Sequence, residues 1–127
     1  MTAAALVLAG LAAALHVFIW TMESLTWRQP ATWKRFGVNG QDEADTLAPM
    51  AYNQGFYNLF LAVAAGVGVV LVATDHDTVG WTLVITACAS MAAAAVVLVS
   101  SGPGYLRAAL TQGTLPALAV IAALLAL

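Results

Sequence analysis

Charge is what this sequence has least of. Four Lys or Arg and six Asp or Glu make up 8% of 127 residues, whereas 62% are hydrophobic and the mean hydropathy is +0.90. A water-soluble domain of this size could not hide so much apolar surface in one core, so lipid must be the solvent for most of it. The few basic residues and the net charge of -2 exclude nucleic-acid binding, which needs a cationic patch to displace counterions from phosphates. The single cysteine, Cys88, sits inside an apolar run, which rules out an intrachain disulfide and a thiolate metal site. No P-loop, dinucleotide fingerprint, zinc motif or nucleophile elbow occurs, and neither cofactor nor metal is expected.

What is present is four long apolar runs. At roughly 20 apolar residues per crossing, the chain holds four membrane helices with short connections and no fifth. They are expected at about 3–27, 49–74, 79–99 and 105–127, in one integral membrane domain spanning 1–127. Ala12 to Ala14 resemble a signal-peptide cleavage region, but no basic residue precedes them and the run continues through Val17, Phe18, Ile19 and Trp20, which predicts a retained helix. Pro49 suits a helix's first turn and so marks the second start. The Asp75-His76-Asp77 turn ends that span, and Ser100 to Gly104 form a breaker cluster before the fourth.

All four basic residues, Arg28, Lys34, Arg35 and Arg107, fall in the first and third connections, which alternating helices place on one side. Lys and Arg are retained in the cytoplasm, so the expected fold is an all-α four-transmembrane-helix bundle with both termini outside. Asp42, Glu43 and Asp45 share the basic side and suit the first turns of a short helix opening after Asn39-Gly40. The segment Pro30 to Phe36 interleaves rings with cations and is expected to lie on the inner leaflet, rings at headgroup depth and cations toward anionic lipid. Trp20, Trp27, Trp81 and Tyr105 also fall near span ends, where amphipathic rings collect.

Polar groups in lipid are costly without partners, which makes each a functional candidate. On the first helix His16, Trp20, Glu23 and Trp27 recur at intervals of four, three and four, one stripe of a 3.6-residue helix. The second helix carries Asn53, Gln54, Tyr57 and Asn58 in its inner turns. The fourth carries Gln112, whose carbonyl loses its helical donor to Pro116. The orientation above puts these groups in the cytoplasmic half, and the outer half is nearly all Ala, Val, Leu and Gly. This predicts an inward-opening polar pocket built from His16, Trp20, Glu23, Asn53, Gln54, Tyr57, Asn58 and Gln112.

The competing interpretation is interhelical glue worth roughly 1 kcal/mol per amide, with Glu23 paired to Arg28 or Arg107. Glu23 and His16 are the acid–base candidates, yet seven residues at ~1.5 Å rise separate their backbones by roughly 10 Å, too far for a direct dyad. His76 lies on the opposite side and cannot join them. The third helix offers only Thr82, Thr86 and Ser90, which can bond within their own helix, beside a smooth alanine face. Gly55, Ala62 and Gly66 give the second helix a small-residue stripe for close contact.

The run from Leu47 to Asn58, Leu-Ala-Pro-Met-Ala-Tyr-Asn-Gln-Gly-Phe-Tyr-Asn, follows Met22-Glu23 and precedes Gln112-Gly113-Thr114-Leu115-Pro116. This pattern resembles a family of small bacterial membrane proteins, the domain of unknown function numbered thirteen hundred and four, with Asn-Gln-Gly-x-Tyr-Asn as its specific part. The resemblance covers nearly the whole chain and implies a four-helix protein of the bacterial plasma (inner) membrane. It implies no activity. Three functions therefore compete. One is a binding or transport protein for a small amphipathic molecule, working as a homodimer because four helices are few for a transporter. The others are a membrane enzyme acting on a lipid or isoprenoid and an accessory subunit without a ligand.

Overall fold

The computed structural model describes residues 1–127, all helix, turn and connection without a strand. Helix α1 runs over Thr2–Trp20 and continues through a π-helical turn, Thr21–Leu25. A short α2, Pro30–Trp33, is followed by a 3-10 turn at Lys34–Phe36. Then come α3, Gln41–Ala73, α4, Asp77–Ser100, a second 3-10 turn at Pro103–Tyr105, and α5, Leu106–Ala126. Four segments, Thr2–Leu25, Gln41–Ala73, Asp77–Ser100 and Pro103–Ala126, are long and apolar enough to cross a membrane, and the chain is a multi-pass membrane protein.

These four helices form an up-and-down bundle in which α1 packs against α3 and α5, and α4 packs against the same two from the opposite corner. Its core is small: Ala5, Ala9 and Ala12 of α1 join Ala65 and Val72 of α3, Val84, Ala87, Cys88 and Met91 of α4, and Ala119, Ala122 and Ala123 of α5. Lipid is as apolar as these side chains, so the helices gain by van der Waals fit and not by leaving water. The closest fit is between α3 and α4. A Cβ placed on Gly68 would lie 2.8 Å from Gly80 O and Val84 N, and one on Gly80 would lie 2.7 Å from Val72 N. The stripe expected through Gly66 is corrected here, because Gly66 has nothing within 4 Å and Gly68 makes the contact.

The α3–α4 turn is closed by backbone bonds. His76 N–H reaches Leu71 O (2.9 Å) and Asp75 N–H reaches Val72 O (3.3 Å), with Asp75 in the left-handed region at φ 62°. Asp tolerates that conformation better than most residues, and the paired bonds satisfy carbonyls the helix end would otherwise leave free.

The second span does not start at Pro49. Helix α3 opens at Gln41, directly after Gly40, and passes through Pro49 unbroken. Proline removes one N–H, the donor to the Asp45 carbonyl, and a helix held at both ends tolerates that loss. Glu43 helps start it by accepting the Asn39 N–H at 3.1 Å, and Asp42 and Glu43 sit favourably at the positive end of the helix dipole. At ~1.5 Å per residue its 33 residues extend about 50 Å, well beyond the ~30 Å hydrocarbon layer.

The overhang supports a second, smaller core. Trp27, Trp33 and Val38 of the first connection are buried on Ala44, Ala48 and Ala51 of α3, with Phe36 and Leu47 packed alongside. Trp27 Nε1 donates to Ala44 O at 2.8 Å, its ring meets Phe36 at 5.2 Å, and Trp33 Nε1 donates to Gln41 Oε1 at 3.2 Å. The rings of this connection therefore face α3 and not the headgroups, which corrects the expected surface anchor. Between Trp33 and Phe36 only the cations Lys34 and Arg35 are left exposed. Indole needs both an apolar seat and an acceptor, and the α3 overhang supplies both. The expected first helix, to residue 27, is likewise shortened: it stops at Leu25, and Trp27 belongs to this cap.

Candidate functional site

The π turn positions the site. Thr26 N–H bonds to Thr21 O at 3.0 Å, five residues back, and the extra residue in the turn shifts Glu23 toward α3. Gly55 makes the approach feasible: a side chain there would collide with Ser24 Oγ and reach within 3.1 Å of Glu23 Cβ. With α1 laid against that glycine, Ser24 Oγ donates to Tyr52 O at 2.9 Å, and Asn58 Nδ2 donates to Glu23 Oε1 at 2.7 Å. Glu23 is 7% exposed, and Asn58 is half-buried with a weaker second bond to Gln54 O at 3.3 Å. The partner of Glu23 is thus an amide of α3 and neither Arg28 nor Arg107.

The other candidates are spread around it. His16 is 2% exposed, and its Nδ1–H donates to Ala12 O of its own helix at 2.9 Å. Trp20 meets Phe56 edge-on at 5.9 Å, and its indole N–H is the one buried side-chain polar atom without a hydrogen-bond partner. Asn53, Gln54 and Tyr57 are exposed on the outside of α3, and Gln112 is half-buried on α5. The bundle therefore joins Glu23 with Asn58 directly, while Asn53, Gln54 and Tyr57 face away from the helix interfaces. No three His, Cys, Asp or Glu side chains come together as they would around a metal ion.

Beside the Glu23–Asn58 pair a cleft of about 520 Å³ opens between the π turn, the start of the first connection and the Pro49 region of α3. Of the eight sequence candidates only Glu23 lines it. Its walls are Leu25, Trp27, Ala48, Pro49 and Tyr52, and its polar rim includes Thr26, Arg28 and Gln29. Arg28 is held by Asp45 at 2.9 Å, and Gln41 bonds both Asp45 Oδ1 (3.0 Å) and Arg28 O (3.2 Å). The exposed cation is thus already neutralised. One oxygen of Glu23 accepts from Asn58, which leaves the second for a hydrogen-bond donor. Sequence reasoning missed Leu25, Pro49 and Tyr52 because each is an unremarkable apolar or interfacial residue until the π turn and the α3 overhang bring them together.

No curated protein and no solved structure matches this chain. Residues 10–124 match the family described as Protein of unknown function (DUF1304), and the chain belongs to that family.

Proposed function

We propose that this protein binds a small amphipathic molecule in the Glu23 cleft, at headgroup depth on the membrane face that carries its basic residues. The cleft itself carries this reading: it has apolar walls, a polar rim and a carboxyl group with one oxygen still open to a donor. Small-molecule sites combine apolar surface with a few fixed polar groups, and this cleft carries a larger polar share, with Ser24, Thr26, Arg28 and Gln29 beside Glu23, which suits the head of an amphiphile more than its tail. Arg28, Lys34, Arg35 and Arg107 support a cytoplasmic position for this face and an outward position for both termini, in a bacterial plasma membrane. Close Ala and Gly packing along the bundle favours binding over passage through a single copy, and transport would call for a homodimer. With His16 turned to its own backbone, Glu23 has no second acid–base group, which favours binding over catalysis.

Organic extraction of the purified protein followed by mass spectrometry tests the proposal. Leu25 is 60% exposed on the cleft wall, so Leu25→Trp should fill the space without entering the core. The unaltered protein should yield an amphiphile in near-stoichiometric amount, and the variant should lose it while keeping its helical circular dichroism and its monodisperse elution. Equal recovery from both would refute the reading. A second reading, an accessory subunit, is favoured by the outward position of Asn53, Gln54 and Tyr57 and predicts a partner protein retained through purification.

A further inference from the structure

One wall of the cleft continues into a row of rings. Tyr52 is the first of three aromatic residues at four-residue spacing on α3. Its ring lies 5.0 Å from that of Phe56, which lies 6.2 Å from that of Phe60, and Trp20 of α1 closes on Phe56 from the side. Eight residues at ~1.5 Å rise carry this row about 12 Å from the cleft, toward the apolar remainder of α3. Tyr52 and Phe60 are 55% and 60% exposed, so their rings face outward while Ala62 and Ala65 supply the interhelical contact. Phe56, half-buried between Tyr52 and Phe60, meets Trp20, and a bundle packed through alanine and glycine gains little from the two large rings of Tyr52 and Phe60 on its lipid side. What they do form is an apolar track that begins at a polar cleft.

We infer that the amphiphile bound in the cleft has a long hydrocarbon tail lying along Tyr52, Phe56 and Phe60, and a head that donates a hydrogen bond to Glu23, as an amine or hydroxyl does. The inference rests on the cleft being a binding site. The head chemistry follows from charge: Arg28 is the one cation at the cleft and Asp45 already holds it, so an anionic head finds no free counter-charge, whereas Glu23 has an oxygen to offer. The track is open along its length to the surrounding lipid, so the ligand enters sideways from the leaflet, head and tail together.

The test uses the whole protein in nanodiscs of uncharged phospholipid, with hexadecylamine brominated on its chain as the probe and tryptophan fluorescence as the readout. Binding should quench saturably, be reversed by unbrominated hexadecylamine, and lose most of its amplitude in Trp20→Phe. Butylamine serves as the tail-less competitor. Phe60→Ala should weaken hexadecylamine about fivefold and leave butylamine unchanged. Glu23→Gln should weaken both amines alike, by about tenfold, because an amide is the weaker acceptor and can turn an N–H toward the donating head. Hexadecanol should compete and hexadecanoate should not. Identical hexadecylamine affinity in Phe60→Ala and the unaltered protein, with butylamine still competing, would overturn the tail assignment and leave the cleft standing. Preference for hexadecanoate would overturn the head assignment. Failure of every probe would overturn the inference as a whole, while the extraction experiment would still decide whether the cleft is occupied.

Discussion

Asn58→Leu removes the only side-chain donor to Glu23 and changes little else, since leucine has nearly the shape of asparagine. The bond it deletes is short, 2.7 Å, and joins α1 to α3 next to the cleft. Interhelical bonds of this kind in membranes are worth about 0.6 kcal/mol on average and up to about 1.7. To this is added the penalty of a carboxyl oxygen left without its partner at 7% exposure, so the substitution should cost about 1–3 kcal/mol. Glu23→Gln keeps an acceptor in place and should cost less than about 1 kcal/mol. The double variant Glu23→Leu, Asn58→Leu orphans nothing and should be more stable than the sum of its single changes, with a coupling of about 1 kcal/mol. Reversible unfolding in mixed micelles of graded SDS content measures all of these. If Asn58→Leu lies within about 0.5 kcal/mol of the unaltered protein, or the two leucines are additive, then the pair does not hold α1 to α3 and the cleft has lost its fixed floor.

Two neighbouring glycines should behave oppositely. Gly68→Ala places its Cβ 2.8 Å from backbone atoms of α4, which must move apart at about 1–3 kcal/mol, whereas Gly66→Ala meets nothing within 4 Å and should leave the unfolding midpoint unchanged or raise it slightly. Trp27→Phe keeps the ring but loses the 2.8 Å bond to Ala44 O, so hydrogen exchange across Thr26 to Gly40 should accelerate by the equivalent of about 1 kcal/mol while the bundle amides keep their protection. In a Cys88→Ala background on intact cells, Asp77→Cys should react with a membrane-impermeant maleimide and Asn39→Cys only after lysis; the reverse pattern would overturn the orientation.

The spans were legible because a run of apolar residues longer than the bilayer is thick has few alternatives, and because Asp75 to Asp77 and Ser100 to Gly104 interrupt those runs unmistakably. The start of α3 was not legible, since Pro49 carries the same local signal at a first turn as inside a helix whose neighbours compensate for it. The cap was misread for a related reason. Trp33, Lys34, Arg35 and Phe36 have the composition of an interfacial anchor, and what distinguishes a ring in lipid from a ring on protein is the surface opposite. That surface was written in the sequence as Ala44, Ala48 and Ala51, a small-residue row at four- and three-residue spacing, but a row of alanines becomes a signal only once something large is known to face it. Gly66 and Gly68 show the same limit at higher resolution: composition offered both, and only the crossing of α3 with α4 decides between them.

The site depended on a single inserted residue. An unbroken 3.6-residue helix would align His16, Trp20, Glu23 and Trp27 on one stripe facing the bundle interior, and from that phase a shared central pocket follows. The π turn at Thr21–Leu25 ends the regular phase just before Glu23, so the carboxyl is directed at Asn58 and the chain leaves the helix before Trp27. Two consequences follow from one local change. Glu23 moves from the bundle axis to a boundary between bundle and cap, and Trp27, freed from the helix, becomes a wall of the cleft that Glu23 floors. Because α3 runs unbroken through both layers, a molecule held there touches the membrane bundle through Tyr52 and the cap through Trp27. Occupancy of the cleft is therefore bound to affect how firmly the cap sits on α3, and ligand should slow hydrogen exchange of the first connection most.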